Sequence, residues 1–485
     1  MFRSRPRPHR LAPRLHGRRA AASHRETGRR ILTALRITGW GSLLGGCTLI
    51  PKYERPTAPV AAAYPEAVHS NGLAFTGDRS WRSVFSDPRL VRLIEAALAG
   101  NPDLGVAILN VEKAQAQYRI QKAAQYPTVD AGLSYSNQRT VGLTTKMWAA
   151  SVGTTSYELD LFGRVRSLNT QALETYFATE DAQRAAQIAL VASVATEYYT
   201  LRQLEQQEDV AKSTLQTVRE SYRLNQRLFE AGELTELDLR TSEGQVRTAE
   251  VDLAGLWRQI LQSRDNLALL TGCPLPDDLL DPPPLDEPVA LPELPAGLPS
   301  ELLERRADVR EAEHTLKAAN ANIGAARAAF FPSVTLTASG GQTSSQFSQL
   351  FTGGNAAWTL APQLTLPLFA GGANRANLDT AKISTAIEVV QYRKAILTAF
   401  REVADALASR MGYRQQAAPQ QALVATLQRR YELANERYRQ GADTYLNVLS
   451  AQQDLYTAQQ ALVQIRFDLV AADISLYEAL GGGWQ

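Results

Sequence analysis

The chain contains two copies of one pattern, separated by a little over 200 residues, and this duplication limits the folds that it can adopt. The segment 103–129, which ends in AAQYPTV, recurs as 308–334, which ends in FFPSV, at an offset of 205 residues. The segment 222–272 recurs as 431–481 at an offset of 209 residues. Solenoid repeats are shorter, about 20–50 residues. We therefore predict a duplicated domain, each copy containing a helix, a pair of strands and a very long helical hairpin.

The composition favours an elongated helical protein and argues against a nucleic-acid surface. Of the 485 residues, 45% are hydrophobic and only 7% are aromatic. No run of eighteen apolar residues occurs, so the sequence predicts no membrane-spanning helix. Residues 1–46 carry 11 Arg and one acid, and without them 40 basic and 48 acidic residues leave a net charge of −8. The basic run is typical of a leader, and the acidic remainder does not predict nucleic-acid binding.

The N-terminal region, residues 1–46, has the organisation of a secretory signal peptide. A basic stretch precedes the mostly apolar segment Ile31–Leu44, and Leu-Gly-Gly stands immediately before Cys47. This ending resembles the lipobox of bacterial lipoproteins, in which the chain is cleaved before the cysteine and the cysteine is acylated. The resemblance implies lipidation of Cys47, sorting to the outer membrane because Thr48 rather than an acid follows, and an anchored extended tether over 47–80. The alternative is an ordinary leader with an incidental cysteine.

Four short segments alternate apolar and small polar residues with a period of two, which predicts β-strands. They are the segments 129–136, 147–159, 334–339 and 358–366. Such strands suit either a membrane barrel, with lipid outside and water inside, or a half-buried soluble sheet. A membrane barrel needs at least about eight strands and permits no open edges. Lipid-facing strands would therefore have to be shared among several chains.

Between the strands the sequence predicts helices of unusual length. Proline is absent from 128 to 273, glycine is sparse over much of that range, and a helix of this length would be on the order of 100 Å long. The four predicted helices are Arg166–Ala231, Leu234–Thr271, Asn374–Gln440 and Ala442–Leu480. Pro419 should kink the third, and the proline-rich segment 274–300 should link the two copies. Narrow seams of small apolar residues are typical of helices that form coiled-coil walls. Considered without the strands, these helices would also be compatible with a soluble coiled-coil scaffold.

Several motifs, in their order along the chain, resemble those of one family. The motifs are Trp81…Phe85-Ser-Asp-Pro88, Tyr157-Glu-Leu-Asp-Leu-Phe-Gly163, Leu302-Leu-Glu-Arg-Arg-Ala-Asp308, Phe331-Pro332 and Leu366-Pro-Leu-Phe369. Together with the lipobox and the repeat, they resemble the outer-membrane efflux factors of the TolC superfamily, in the lipoprotein branch of the NodT/OprM type. The resemblance extends from about Trp81 to the C-terminus and divides this part into efflux repeats at 81–273 and 301–485.

The resemblance implies a mainly α fold with a small membrane β-barrel. In the family, three chains form a homotrimer, and four strands per chain share one twelve-strand barrel above a long coiled-coil α-barrel. It implies a passive exit duct, lipid-anchored in the outer membrane of a Gram-negative bacterium and extending into the periplasm. The implied partners are outer-membrane lipid, a periplasmic adaptor and an inner-membrane pump, typically of the resistance–nodulation–division (RND) class. Two alternatives stay open: the duct of a type I protein-secretion system, and a non-conducting structural envelope lipoprotein.

The sequence predicts neither catalysis nor a metal or cofactor site beyond the covalent lipid. His69 and His314 stand outside any hydrolase, metalloprotease or nucleotide-binding motif. Cys273 is predicted to be a small buried hydrophobe. Glu158 and Asp160 are two residues apart and would share one face of a strand. We interpret them as lumen-facing acids at a strand–helix junction rather than as a catalytic pair, because the sequence indicates neither a pocket nor a catalytic partner for them.

The residues predicted to carry function lie at the tips of the two helical hairpins. Gly232 and Gly441 permit the backbone reversal that ends one helix and begins the next. Thr235 in the first tip and Asp443 or Thr444 in the second are N-cap candidates. Helix punctuation alone would explain these residues in part. The family resemblance adds docking of the adaptor at the tips and a constriction formed by the inner coils.

The resemblance also implies how that constriction is held. By position, Asp238 and Tyr438 correspond to a gate pair that keeps the inner coils closed through a hydrogen bond. The pore-lining acids of some relatives correspond to Asn447 and Ser450 here. An acidic ring at that level would therefore depend on Asp454, one helical turn further on.

Overall fold

The computed structural model describes residues 48–60, 80–276 and 305–482. The helices are α1 (Trp81–Val84), α2 (Pro88–Gly100), α3 (Pro102–Ala123), α4 (Arg164–Glu230), α5 (Glu236–Thr271), α6 (Ala307–Ala328), α7 (Ala373–Arg439) and α8 (Tyr445–Ala479). The strands are β1 (Asp130–Thr140), β2 (Leu143–Leu159), β3 (Ser333–Ser344) and β4 (Ala356–Thr365). The predicted signal peptide 1–46 and the predicted lipidation site Cys47 lie outside the described residues, as do most of the tether and of the linker.

The order of the elements confirms the predicted duplication. Each copy consists of a helix (α3 or α6), two strands and a long hairpin (α4–α5 or α7–α8). Both α4 and α7 contain 67 residues, which corresponds to about 100 Å, and α7 continues through Pro419. The four long helices begin and end within three residues of their predicted bounds. Among the described helices, none combines the length and apolarity needed to cross a membrane.

The four predicted strands are confirmed and form one antiparallel sheet in the order β1-β2-β3-β4. Asp130 pairs with Gly153, and Val334 pairs with Leu364. All residues of β1 are exposed, and Trp358 of β4 is 79% exposed. In the single chain, β1 and β4 are edge strands with unpaired backbone groups on one side, which is a template for pairing with another chain.

The main hydrophobic core lies where the short N-terminal helices pack against the long helices. Trp81 and Phe85 are at most 2% exposed, and the ring of Phe85 meets that of Tyr477 in α8 edge-on at 5.4 Å between centroids. The Asp87 carboxylate caps α2 and accepts a hydrogen bond from the Tyr198 hydroxyl of α4 at 2.6 Å. The motif that contains Trp81 and Asp87 is therefore structural: it fixes α2 against α4.

Residues 48–60, here called the N-terminal arm, run along α6 in the opposite direction. The carbonyl oxygen of Leu49 accepts from Arg327 at 3.1 Å, and that of Pro51 accepts from Asn320 at 2.9 Å. Arg327 lies in the last turn of α6, shortly before β3. The arm therefore begins beside the sheet and leads away from it, and this part of the predicted tether is held by α6.

Candidate functional site: the hairpin tips

The first hairpin reverses at Gly232 through a glycine-based helix C-cap. Gly232 has φ +77°, in the left-handed region, as predicted for this position. Its N–H donates to the carbonyl of Phe229 at 2.9 Å, and the N–H of Glu233 donates to that of Leu228 at 2.8 Å. This pair of bonds is a Schellman motif, which satisfies two carbonyls at the end of α4 and turns the chain towards α5.

The second hairpin reverses in the same way at Gly441, which has φ +70°. The Gly441 N–H donates to the carbonyl of Tyr438, and the Ala442 N–H donates to that of Arg437, both at 2.9 Å. The duplicated glycines therefore produce the same backbone geometry at both tips, as the sequence predicts.

The helices that return from the two tips are capped differently. Thr235 Oγ1 accepts from the Asp238 N–H at 3.2 Å, and the same hydroxyl donates to the Asp238 carboxylate at 2.6 Å. Thr444 is the N-cap residue of α8 but makes no side-chain capping bond. Asp443 instead accepts from the Thr444 N–H at 2.8 Å and from the Asn447 amide at 2.6 Å. Both N-cap predictions are therefore correct in position, and only the first is a side-chain cap.

Asp443 carries a stabilised negative charge at the second tip. The Asn447 amide, the Thr444 N–H and the Arg437 guanidinium, whose Nε lies 3.2 Å from Asp443 Oδ2, hold the pKa of Asp443 below its usual range. Asn447, one of the two positions that the family resemblance matches to pore-lining acids, thus donates to an acid instead of supplying one.

A cavity of about 720 Å³ lies between the tip segments of the two hairpins, and both predicted gate residues line it. The Tyr438 hydroxyl donates to Asn225 Oδ1 of α4 at 2.7 Å, while Asp238 is bonded to Thr235. This differs from the predicted direct hydrogen bond between Asp238 and Tyr438, since within one chain each has another partner. Burial, and then the charge of Asp238, raise the pKa of Tyr438, so the phenol stays protonated and remains a donor.

Asn225 is a candidate functional residue that sequence reasoning missed. It is fully buried in α4, and its Nδ2 has no hydrogen-bond partner among the described residues. A buried amide in a coiled-coil seam reduces stability and specifies which partner the helix accepts. The signal in the sequence is an asparagine at a position that helical periodicity assigns to the buried face.

Ser450 and Asp454 both contact Arg430 of α7. Arg430 Nη1 lies 2.5 Å from Asp454 Oδ2, and its Nη2 lies 3.4 Å from Ser450 Oγ. Both side chains of the ion pair are about half exposed. The charge of Asp454 is therefore offset within its own hairpin, which argues against an acidic ring formed by this residue. The acidic ring stays a prediction.

Glu158 and Asp160 lie where β2 joins α4, as predicted. Arg164 donates to both carboxylate oxygens of Glu158, at 2.8 and 2.5 Å. The carboxylate of Asp160 accepts from the backbone N–H groups of Val165 at 3.2 Å and Arg166 at 2.9 Å. An acid at this place satisfies free N–H groups of the first helical turn and complements the helix dipole. Both acids hold the junction; that they face a lumen stays a prediction.

The described part of the chain contains no group of three His, Cys, Asp or Glu side chains placed to hold a metal ion. His314 Nδ1 lies 2.6 Å from Glu174 Oε2 and its Nε2 lies 3.8 Å from Asp181 Oδ2, so it belongs to an ion-pair cluster between α4 and α6. Cys273 is exposed, and its prediction as a buried hydrophobe is wrong. The reason is its place directly after Gly272, which ends α5 with φ +70° and turns the chain out of the helix.

Two helical hairpins, each with one helix about 100 Å long, attached to one small open sheet, define the class of TolC-like channels. The chain belongs to the outer membrane efflux protein family: the model of this family, described as "Outer membrane efflux protein", matches residues 93–273 and 298–482. The two matched ranges correspond to the two copies of the repeat.

Characterised relatives match almost the whole chain. The chain is 46% identical to the toluene efflux pump outer membrane protein TtgC of Pseudomonas putida, over 93% of this chain and 96% of the relative. It is 38% identical to the cation efflux system protein CusC of Escherichia coli, over 91% and 97%. Among solved structures, the open-state MtrE outer membrane channel of Neisseria gonorrhoeae matches with a TM-score of 0.84 at 38% identity, over 90% of this chain and 99% of that one.

Proposed function

We propose that the protein is the outer-membrane exit duct of a tripartite efflux system, a passive channel that carries small toxic compounds from the periplasm to the exterior. The observation that carries the proposal is an open four-strand sheet attached to two hairpins, each with one helix about 100 Å long, in a chain similar over its length to efflux-pump outer membrane proteins. Such a shape spans the distance between a membrane and a distant partner. The energy for transport comes from that partner.

The open edges of the sheet support assembly into a homotrimer. Unpaired backbone groups on β1 and β4 would be costly in lipid, because no water is there to satisfy them. Three chains with four strands each supply twelve strands, above the minimum of about eight for a membrane barrel. Pairing β4 of one chain with β1 of the next removes all edges when the third chain closes the ring.

The N-terminal arm supports lipid anchoring through Cys47. Leu49 is held by Arg327 at the end of α6 nearest the sheet. Cys47 precedes Leu49 by two residues in the sequence. A membrane that surrounds the strands would begin close to the level of Leu49. Acyl chains on Cys47 would add an anchor in that membrane, each buried CH₂ contributing about 0.8 kcal/mol.

The hairpin tips are the proposed docking site of a periplasmic adaptor, which connects the duct to an inner-membrane pump of the RND class. The tips lie at the ends of the long helices remote from the sheet. TtgC and its relatives are named as outer membrane proteins of efflux pumps, which implies such partners. The ion pair of Arg437 and Asp443 gives the second tip fixed charges that a partner can recognise.

We propose that Asp238 and Tyr438 hold the closed state, with Asn225 as a third member of the group. Tyr438 is bonded to Asn225 in one chain and lies close enough to Asp238 for that charge to raise its pKa. The hydroxyl can thus exchange a neutral acceptor for a carboxylate, and the charge-assisted bond is the stronger. An adaptor that favours the open state by about 5.5 kcal/mol would move a 1:99 population to 99:1.

Small organic compounds are the proposed cargo. Two relatives at 46% identity are named for antibiotic efflux and for toluene efflux, and the cation-efflux relative is less similar at 38%. The chain contains three Met, too few to suggest a thioether relay for soft metal ions.

Single-channel recording of the purified protein in planar bilayers tests the proposal. The wild type should conduct, and Asp238→Ala combined with Tyr438→Phe should enlarge the resting conductance. Glu236→Ala, which removes an exposed acid two residues from Asp238, is the matched control and should not. A folded trimer that never conducts would contradict the duct and favour a structural lipoprotein. Loss of protein export rather than drug efflux in a deletion strain would favour type I secretion.

A further inference from the structure

Two glutamine hydrogen bonds join the hairpins along the interface between α4 and α8. Gln203 Nε2 donates to Gln464 Oε1 at 2.5 Å, and Gln460 Nε2 donates to the backbone carbonyl oxygen of Gln207 at 3.1 Å. The two bonds lie four residues, or about one helical turn, apart on each helix, and the helices run antiparallel. Directed hydrogen bonds, rather than apolar packing alone, therefore specify how the hairpins meet.

The direct bonds end at Gln460. Continuing the four-residue step along both helices passes Tyr456 and Ala211 and then brings Gln452 to the level of Leu215, whose side chain cannot bond to an amide. Leu215 instead packs with Val218 and Val246 in an apolar cluster between α4 and α5. At this level the buried face of α4 packs against α5 of the same hairpin and not against α8. Gln452 of α8 therefore has no hydrogen-bond partner on α4. Gln452 is 6% exposed, and neither its Oε1 nor its Nε2 has a hydrogen bond among the described residues.

Gln452 lines a cavity of about 180 Å³ between α4, α5 and α8. The cavity is lined on the α5 side by Asp252 and on the α8 side by Tyr456, so polar groups from both hairpins border it. Thr248 and Thr457, which also line it, are accessible at the surface, and solvent can therefore reach the space.

We propose that this cavity is a hydration site, in which a small cluster of water molecules connects the Gln452 amide to polar groups of α5. A buried amide with neither donor nor acceptor satisfied is unfavourable, and a polar cavity that is large enough retains water. A water molecule needs about 10–15 Å³ of such space, so the cavity has room for several. Water thus takes the place of a direct bond between the hairpins at Gln452, through hydrogen bonds that can rearrange.

Replacement of Gln452 by methionine, which has a similar volume, tests this site through the sign of the stability change. With water bound, Gln452→Met loses the water-mediated bonds, and the melting temperature should fall by about 1–3 °C. In a dry cavity the same change removes an unsatisfied amide, and the melting temperature rises. An equal or higher melting temperature overturns the proposal. Gln415→Met, at an exposed glutamine of α7 that does not line the cavity, is the control and should leave the melting temperature unchanged.

A direct observation completes the test and does not depend on how the variant folds. A cryo-electron-microscopy map of the full-length protein, at a resolution that shows ordered water, should contain density within hydrogen-bond distance of both Gln452 amide atoms. An empty cavity, or a direct protein partner for the amide, overturns the proposal.

Discussion

The two copies of the repeat contain the same elements, yet the fold buries them very differently. The helices α4 and α7 both have 67 residues, but twenty residues of α4 are buried and only six of α7. For the returning helices the second copy is the more buried one: α8 has fourteen buried residues and α5 has seven. The reason is their arrangement: α4 and α8 contact each other across the two hairpins, whereas α5 and α7 flank this pair.

The difference teaches that position in the assembly, not the repeated pattern, decides whether an apolar face becomes core or interface. Ile188 in α4 is 5% exposed, while Leu397, at the equivalent position of α7, is 48% exposed. Other apolar residues of α7, such as Ile383 and Val390, are more than 60% exposed. Contiguous exposed apolar surface marks an interaction site. The flanking helices are therefore the surfaces available for contact between chains in the proposed trimer.

The short helices of the two copies differ in the same way. In α6 ten residues are buried, and in α3 only two. The N-terminal arm covers α6, where Tyr53 and Arg55 donate hydrogen bonds to the buried carboxylate of Glu313. The equivalent position in α3 is Ile108, which is 44% exposed. A segment that precedes the first copy therefore gives the second copy a buried surface that the first lacks.

The comparison of α4 with α7 predicts that the largest loss of stability follows from a substitution at Ile188 in α4. Ile188→Ala should lower the free energy of unfolding by about 2–5 kcal/mol, because it removes packed methyl groups from the core. Leu397→Ala should change the stability of the single chain by less than about 1 kcal/mol and weaken association instead. Thermal unfolding by circular dichroism measures the first effect, and mass measurement in detergent measures the second. Equal losses of stability, with no change in mass, would remove the distinction between the two helices.

Pro419 allows a second test of whether α4 is more constrained than α7. The equivalent residue of α4 is Val210. Val210→Pro should destabilise the protein by about 3 kcal/mol, since it removes a backbone hydrogen bond and clashes with the preceding turn. Pro419→Val should stabilise it by less than that amount, because α7 already accommodates the proline. The measurement is the melting temperature of both variants. If Val210→Pro is tolerated without loss, α4 is not the more constrained helix.

Features with a short-range signal were predictable from the sequence. The absence of proline over a long stretch predicted α4 and α5, and the duplicated glycines predicted both tips, because helix length and chain reversal depend on neighbouring residues. Period-two alternation likewise predicted the strands, since it reports which side chains share a face.

Long-range pairings were not predictable by the same reasoning. Tyr438 bonds to Asn225, 213 residues earlier in the chain, and Arg55 bonds to Glu313, 258 residues later. No local pattern records which helices meet, so the partner of Tyr438 and the central position of α4 were both missed. The repeat even misleads here, because it suggests equal surroundings for equal sequences.

The contact between the N-terminal arm and α6, which α3 lacks, should depend on pH through the ionisation of Glu313. Burial raises the pKa of Glu313, but the hydrogen bond from Arg55 and the charge of Lys317 outweigh it and hold the pKa below its usual value. The carboxylate therefore stabilises the docked arm above its unfolded pKa of about 4.3, and this stabilisation is lost as the pH falls through the lower folded pKa. The protection of residues 48–60 from hydrogen exchange, relative to the intrinsic rate at each pH, should therefore decrease below about pH 4.

The variant Glu313→Gln should release the arm at neutral pH and flatten this pH dependence. Because the Arg55 side chain is 44% exposed, the expected loss is only about 1–2 kcal/mol. Glu112→Gln, an exposed acid of α3, is the control and should change neither the exchange rate nor its pH profile. An arm that exchanges equally fast in wild type and Glu313→Gln at neutral pH would show that Glu313 does not hold it.

The smallest predicted difference in stability is between the two hairpin tips. Their backbone geometry is the same, but the N-caps of the helices that follow differ. Thr235→Ala removes the side-chain cap of α5, including the bond to the Asp238 N–H, and should cost about 1 kcal/mol. Thr444→Ala should cost only a few tenths of a kcal/mol, because Thr444 makes no side-chain capping bond and Asp443 already accepts from its N–H. Hydrogen exchange in the first turns of α5 and α8 measures both effects locally. Equal acceleration in the two variants would mean that the difference between the caps has no energetic consequence.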